Sequence, residues 1–156
     1  KRLHDRIRNR LSGEFNTVRR RRAEPREDGP YRVVGDVDPQ HFLGDDAYPA
    51  TTARVEIGVQ LRTGASHEYY WANWIEPERR FLVGWYQDDT HDDLGPVHLQ
   101  VNDGSRAIAH EPAQFLDALP LDVAERRLGS LRDAILAVEW DQGRPVGLDP
   151  SVNSDD

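Results

Sequence analysis

The chain has 156 residues, of which 37% are hydrophobic and 31% are charged, so its length predicts a single domain with a modest core. It contains no cysteine, which excludes disulfides, thiolate chemistry and cysteine-based zinc sites within these residues. No apolar run approaches the roughly 18 residues of a membrane span, and no signal-peptide pattern is present. Nineteen of the 20 basic residues are arginine and 18 of the 28 acidic residues are aspartate. We interpret this composition as that of a cytoplasmic protein, without membrane contact, from a halophilic archaeon.

Charge is distributed unevenly along the chain. The segment from Lys1 to Arg26 has a net charge of +7 and the remainder has −15, within a total of −8. We predict a basic amphipathic N-terminal helical arm over residues 1–26, a single α+β domain over 27–140 and an acidic flexible tail over 141–156. The predicted helix runs from Lys1 to Arg22, with an apolar stripe spaced at three or four residues formed by Leu3, Ile7, Leu11, Phe15 and Val18. The arginines at its end suit phosphate or an acidic partner, although a solvated helix packed on the domain fits equally: Arg19, Arg20, Arg21 and Arg22.

The middle of the chain alternates apolar with polar residues, which is typical of half-buried strands. Turn signals without long crossovers separate these stretches, so an antiparallel meander of about four to six strands is expected. The alternating apolar residues are Val55, Ile57, Val59 and Leu61, then Phe81, Val83 and Trp85, then Val97, Leu99 and Val101. An aromatic stretch over Glu68–Ile75, a short strand over Tyr31–Val34 and a hairpin into Arg106–Ala109 complete the predicted sheet.

The C-terminal part has helical spacing. Glu111-Pro112 favours a short helix through Leu119, and Asp122 with Glu125 resembles a capping box. An apolar stripe from Leu121 to Val138 follows and predicts a helix that packs on the sheet, with Arg126, Arg127 and Arg132 facing outward. The expected fold is therefore α+β: an antiparallel sheet packed by a C-terminal helix, with a basic N-terminal helix.

The residues best suited to chemistry lie between Arg79 and Val101. If Val97, Leu99 and Val101 face the core, His98 and Gln100 point to the other side. Two imidazoles and a guanidinium suit metal-independent RNA cleavage, because histidine titrates near neutrality and arginine stabilises charge on phosphate. We assign acid/base roles to His98 and His91, the phosphate to Arg80, ring orientation to Asp88, and no cofactor to the reaction. Tyr69, Tyr70 or Trp85 would stack an unpaired base, unless these aromatic residues belong to the core.

Two other readings of this stretch stay open. Aspartates and histidines at positions 88, 89, 91, 92, 93 and 98 offer ligands for a divalent ion, although neither common zinc spacing is present. Alternatively, the aspartate-rich loop is a solvated, salt-adapted loop in which the histidines play no chemical part.

The sequence also resembles the TumE-like toxins of toxin–antitoxin modules over about residues 51–138. The likeness rests on an aromatic strand at Tyr69–Trp71, a strand leading into an acidic loop at Phe81–Asp89, His91, and the segment Pro96–Gln100. The resemblance implies an α+β toxin that acts on RNA and is neutralised by a DNA-binding antitoxin. RNA, a helix-turn-helix antitoxin and a second copy of the chain are thus the expected partners.

The chain departs from the family pattern at two positions. Gln100 stands where the family favours a second histidine, and Asp89 stands where it favours asparagine. Glutamine donates hydrogen bonds, so Gln100 is expected to contact RNA, but it does not transfer protons near neutral pH. Nothing before residue 51 matches the family. The alternative function is a non-enzymatic nucleic-acid-binding or protein-interaction protein that uses the arginine-rich N-terminal arm.

Overall fold

In the computed structural model the described residues are 2–12, 17–22, 31–60, 69–87, 97–113 and 120–149. Within these ranges the chain forms three helices and nine strands. None of these helices is long and apolar enough to cross a membrane. In chain order the elements are α1 (Arg2–Leu11), β1 (Thr17–Arg22), β2 (Tyr31–Val37), α2 (Pro39–Leu43), β3 (Ala53–Gln60), β4 (Tyr69–Glu76), β5 (Phe81–Gln87), β6 (Val97–Asp103), β7 (Arg106–Pro112), α3 (Pro120–Leu136), β8 (Val138–Asp141) and β9 (Arg144–Leu148).

Strands β1 to β7 form one antiparallel sheet in which each strand pairs with the next along the chain. This order confirms the predicted meander and the α+β class. The predicted hairpin turn between β6 and β7 is present, and Gly104 adopts a φ of +61° there, which glycine tolerates without strain. Strands β8 and β9 form a separate hairpin.

The N-terminal helix is shorter than predicted. It ends at Leu11, and the helix prediction is wrong for residues 17–22, which form β1. This strand pairs with β2 along its whole length, from Thr17 opposite Asp36 to Arg22 opposite Tyr31. The edge of β2 offers backbone hydrogen-bonding partners to an extended chain, and the β-branched residues that open β1 favour that conformation. The segment thus supplies a helix and a seventh strand to the domain.

One face of the sheet packs against α1 and α3 and forms the core. From the helices, Ile7, Leu11, Leu131 and Ile135 are buried in it. The sheet contributes alternate residues of neighbouring strands, as the period of two predicts: Val55, Ile57, Val59, Ala72, Trp74, Phe81, Val83, Trp85, Leu99 and Val101. The packing predicted for the C-terminal helix is confirmed.

The segment predicted to form a short helix before α3 begins as a β-strand. Glu111 and Pro112 belong to β7, opposite Leu99 and His98, so the predicted helix start at this position is wrong. Proline is tolerated here because β7 is the outermost strand of the sheet on this side. The rest of that predicted helix, residues 114–119, lies outside the described residues. Asp122 lies in the first turn of α3, where a negative charge favours the helix dipole.

A hairpin occupies the start of the predicted tail. Strands β8 and β9 are joined by Gln142 and Gly143, both with positive φ, as a two-residue hairpin turn of this kind requires. The prediction of a flexible tail is therefore wrong up to Leu148, and residues 150–156 lie outside the described residues. Trp140 packs its ring edge-on against Phe81, with ring centroids 4.8 Å apart, and this contact attaches the hairpin to the sheet.

Candidate functional site

The face of the sheet opposite α1 and α3 carries two neighbouring rows in which every residue except Val34 is polar, aromatic or glycine. We call these two rows the polar face. Its presence confirms that His98 and Gln100 alternate with the core residues of β6. The first row runs through Arg32, Gly58, Trp71, Tyr86 and His98, and the second through Val34, Glu56, Asn73, Gly84, Gln100 and His110.

Three rings meet on the polar face where β5, β6 and β7 lie side by side, those of Tyr86, His98 and His110. We call them the ring cluster. The Tyr86 ring stacks on the His98 ring, with centroids 5.5 Å apart and planes at 14°. The His110 ring stands edge-on to His98, with centroids 5.4 Å apart and planes at 81°. His98 is 1% exposed, whereas His110 and Tyr86 are half-buried. The cluster thus places two imidazole rings in contact on neighbouring strands.

The sequence prediction missed His110. The register pairs Gln100 with His110, and His98 is the diagonal neighbour across the two strands, a spacing at which side chains still touch. A helix predicted from Glu111 hid this pairing. The signal was present, because the turn at Asn102-Asp103-Gly104 returns the chain alongside β6 and brings residues 109–112 opposite residues 98–101.

Asn73 connects the middle of the polar face to the ring cluster. Its side-chain amide donates a hydrogen bond of 3.0 Å to the Tyr86 hydroxyl. A Cβ atom on Gly84 would lie 1.9 Å from Asn73 Oδ1 and 2.6 Å from the carbonyl oxygen of Ala72, so glycine is what lets Asn73 occupy this position. Among the described residues Asn73 Oδ1 accepts no hydrogen bond although it is buried.

Trp71 lies flat against a neighbouring strand. A Cβ atom on Gly58 would approach Trp71 Cζ2 to 1.8 Å, so the indole covers the glycine directly. Trp71 is half-buried and shares a row with Tyr86 and His98. The polar face thus presents an indole and a phenol ring side by side, which suits contact with planar ligands.

Arg80 lies at the far end of the strand from His98. It precedes Phe81 at the start of β5, whereas His98 pairs with Tyr86, which is six residues after Arg80 and about 20 Å away at the rise of a strand. Arg80 has a positive φ of 50° and is close to Gly104 in the neighbouring turn. The structure therefore does not bring Arg80 to His98 or His110, because the turn between β4 and β5 holds it at the opposite end of the sheet.

Trp85 belongs to the core rather than to the polar face. It is buried on the side of α3, and the Arg127 guanidinium lies 5.3 Å from its ring centroid. Trp85 is therefore not available to stack a base, and Arg127 is buried instead of facing outward as predicted. The alternation itself indicates the correct residue, because Tyr86 is out of phase with Phe81 and Val83 and must face the other way.

Several predicted site residues lie outside the described residues. His91 and Asp88 are among these, as are the other aspartates of their loop, so their roles stay predictions. Tyr69 is described only as the first residue of β4, opposite Gln60. Within the described ranges no group of three or more His, Asp or Glu side chains is placed to hold a metal ion.

The predicted phosphate-contacting arginines form the edge of the sheet. Arg19, Arg20, Arg21 and Arg22 occupy β1, with Arg19 opposite Val34 and Arg21 opposite Arg32. These residues are thus separated from the ring cluster by the intervening strands of the sheet. Gln100 lies on β6 directly opposite His110, and its side-chain amide donates a hydrogen bond of 2.7 Å to Asn102 Oδ1.

A second cluster of titratable groups lies in the core at the opposite end of the sheet. Glu76 is fully buried and its carboxylate accepts hydrogen bonds on both oxygens. Arg79 donates to Oε1 at 2.7–2.8 Å, and the Tyr48 hydroxyl and Trp74 indole donate to Oε2 at 2.5 and 2.8 Å. The Arg79 guanidinium also lies 3.9 Å from the ring centroid of Trp140. Both carboxylate oxygens of Glu76 thus have hydrogen-bond donors within the protein, so we interpret this cluster as one that stabilises the fold.

Tyr48 gives the cluster a pH dependence. Burial, followed by the hydrogen bond to Glu76 and the negative charge of that residue, raises the pKa of Tyr48 above its ordinary value of about 10. In the unfolded chain this tyrosine ionises near pH 10, while in the fold it stays protonated. Its contribution to stability is therefore complete below about pH 10 and is lost as the pH rises further.

We expect the stability difference between the wild type and Tyr48→Phe to shrink between about pH 10 and 11.5, where ionisation of the unfolded tyrosine begins to oppose folding. Urea unfolding of both proteins across this range measures the difference. The phenylalanine variant supplies the control, because it shares every other titrating group. A difference that stays constant to pH 11.5 would contradict the role of Tyr48.

The fold and the site define an α+β protein whose seven-stranded antiparallel meander carries a tyrosine–histidine cluster on its polar face. Comparisons with protein-family models, with curated proteins and with solved structures gave no significant match.

Proposed function

We propose that this chain is the toxin of a toxin–antitoxin module and cuts single-stranded RNA by histidine acid/base chemistry on the polar face, without a metal ion. The observation that carries the proposal is the contact between the rings of His98 and His110 on neighbouring strands. The resemblance to TumE-like toxins supports the same function. In that family an antitoxin that binds DNA restrains the toxin, and we propose a helix-turn-helix partner for this chain.

In such a cleavage, a base removes the proton of the 2′-hydroxyl and the 2′-oxygen attacks phosphorus. The bond to the 5′-oxygen then breaks as an acid protonates that oxygen, leaving a 2′,3′-cyclic phosphate and a 5′-hydroxyl. We assign one proton transfer to His110, which is half-buried and therefore closer to solvent than His98. His91 stays the predicted partner for the other transfer.

His98 has a different role in this proposal. At 1% exposure its ring offers little surface to RNA, but it contacts Tyr86 on one side and His110 on the other. We therefore assign it the role of a positioning residue, which fixes the ring of His110. Arg32 shares the row of His98 but lies four strands away, about 19 Å at ordinary strand spacing, and its guanidinium is paired with the Glu56 carboxylate at 3.4 Å, so we assign it no contact with the scissile phosphate.

The aromatic rings of the polar face supply the binding energy in this proposal. Stacking of one base on an aromatic side chain contributes about 1–3 kcal/mol. We expect Trp71→Ala to weaken RNA binding by this amount and to leave kcat nearly unchanged, since Trp71 is separated from His98 by Tyr86. Fluorescence anisotropy with a labelled oligoribonucleotide measures the change.

Two variants serve as controls for Trp71. Trp71→Phe keeps a ring and should retain most of the binding, and Val146→Ala alters an exposed apolar residue of β9 and should retain all of it. Equal RNA affinity of Trp71→Ala and the wild type would contradict the proposal that Trp71 stacks on a base.

Expression in a host cell tests the proposed function as a whole. The wild type should arrest growth and degrade cellular RNA, and His110→Ala should do neither while reaching the same soluble level. His41→Ala is the matched control, because His41 is an exposed residue of α2. Arrest of equal strength with His110→Ala would refute the proposal.

A second candidate function is favoured by the position of Arg19–Arg22 on the sheet edge. It is a non-enzymatic nucleic-acid-binding or interaction protein whose active element is this arginine segment. In that case binding survives His110→Ala and is lost when charges in β1 are reversed. Deleting residues 1–26 is unsuitable as a test, because Ile7 and Leu11 belong to the core.

A further inference from the structure

β1 is the outermost strand on one side of the sheet. Its inner side pairs with β2 over all six residues, and in the described part of the chain no strand pairs with its outer side. In an antiparallel sheet, every second residue of an edge strand directs its backbone N–H and C=O groups outward. An extended polypeptide is the natural partner of such a row, because only a peptide backbone matches both donors and acceptors at this spacing.

The sequence of the edge strand indicates which polypeptide would fit. β1 reads Thr-Val-Arg-Arg-Arg-Arg, and residues 1–26 as a whole have a net charge of +7. Pairing with the β1 strand of a second copy would place arginines beside arginines, and like charges opposite one another destabilise a strand pair. An acidic strand would instead bring negative charge to this arginine-rich strand.

We propose that β1 accepts an extended, acidic segment of a partner protein as an eighth strand of the sheet. This proposal deepens the second candidate function by naming the chemistry of the partner and the mode of binding. It does not depend on RNA cleavage, because β1 forms one edge of the sheet and the cluster of Tyr86, His98 and His110 lies on the last three strands towards the other edge.

A pair of synthetic peptides tests this proposal on the full chain. The first is a ten-residue peptide that alternates Glu with Val and Thr, and the second has the same charge but carries Pro in place of Val and Thr. Proline lacks the N–H that strand pairing needs. We expect the chain to bind the first peptide at least about 10-fold more tightly, since only that peptide adds backbone hydrogen bonds to charge attraction.

Charge reversal locates the binding surface. Arg19→Glu/Arg21→Glu should weaken binding of the first peptide by about 10-fold or more, because two positive charges of the edge strand become negative and repel an acidic partner strand. Arg126→Glu/Arg132→Glu is the matched control, since both arginines are exposed on α3, and it should bind as the wild type does. Circular dichroism confirms that both variants fold.

Three results would overturn the proposal. Equal binding of the two peptides would mean that charge alone attracts them. Loss of peptide binding in the α3 variant but not in the β1 variant would place the surface elsewhere. Binding of a single-stranded oligonucleotide to β1 together with no binding of the first peptide would assign the edge to nucleic acid instead. RNA cleavage measured on the same β1 variant separates a failure here from a failure of the proposed toxin activity.

Discussion

Replacing Glu76 by glutamine is expected to lower the free energy of unfolding by about 3–5 kcal/mol, the usual cost of removing one partner of a buried ion pair. The carboxylate is fully buried and its neighbours are all donors: Arg79, Tyr48 and Trp74. A glutamine amide would turn an NH₂ group towards donors on one side and leave the guanidinium of Arg79 without its counter-charge. Urea unfolding at pH 7 measures the loss.

The effect should depend on the pairing with Arg79 rather than on the loss of charge alone. Glu78→Gln is the matched control, because Glu78 is exposed and accepts its hydrogen bonds from Thr51 and Thr52 at the surface. It should lose far less stability than Glu76→Gln. In a double-mutant cycle, Glu76→Gln/Arg79→Met should cost clearly less than the sum of the two single changes. Additivity within about 0.5 kcal/mol would show that the two residues do not interact.

Replacing His110 by alanine is expected to slow RNA cleavage by about 10²–10⁴-fold, the usual contribution of one general acid or base. The loss should fall on kcat, because the aromatic residues that we propose bind the bases are unchanged. His41→Ala, on the exposed surface of α2, should cut at the wild-type rate. A kcat within about threefold of wild type for His110→Ala would exclude His110 from proton transfer.

The expected result for His98 differs because we propose that this buried ring positions His110 and does not itself transfer a proton. His98→Asn should lower kcat, leave KM nearly unchanged and shift the pH–rate profile, since the ring that borders His110 changes its surroundings. A residue that only fills space would leave the pH–rate profile where it was. An unshifted profile with normal kcat would therefore contradict the positioning role.

The sheet and the direction of His98 were predictable because they depend on local alternation. Val97, Leu99 and Val101 repeat with a period of two, and this period alone sends His98 and Gln100 to the other face. The same argument, applied to Phe81 and Val83, assigns Tyr86 to the polar face and Trp85 to the core.

Other features were not predictable because their cause lies far away in the sequence. Glu76 stands in Glu-Pro-Glu-Arg-Arg, a stretch typical of a solvated turn, but it binds Tyr48, and its partner Arg79 packs on Trp140; both aromatic residues come from distant parts of the chain. Likewise, Arg19–Arg22 become a strand because β2 offers them an edge, which no local preference of arginine indicates. The roles assigned to Asp88 and His91 after β5 stay predictions, because these residues lie outside the described part of the chain.

The central claim is that the ring cluster cuts RNA without a metal ion. The most direct test is to identify the chemical end groups of the product. Purified wild-type chain is incubated with single-stranded RNA in excess EDTA, and the fragments are analysed by mass spectrometry. We predict fragments with 2′,3′-cyclic phosphate ends and no cleavage of the same RNA carrying 2′-O-methyl groups. Intact RNA, or cleavage that EDTA abolishes, would contradict the claim.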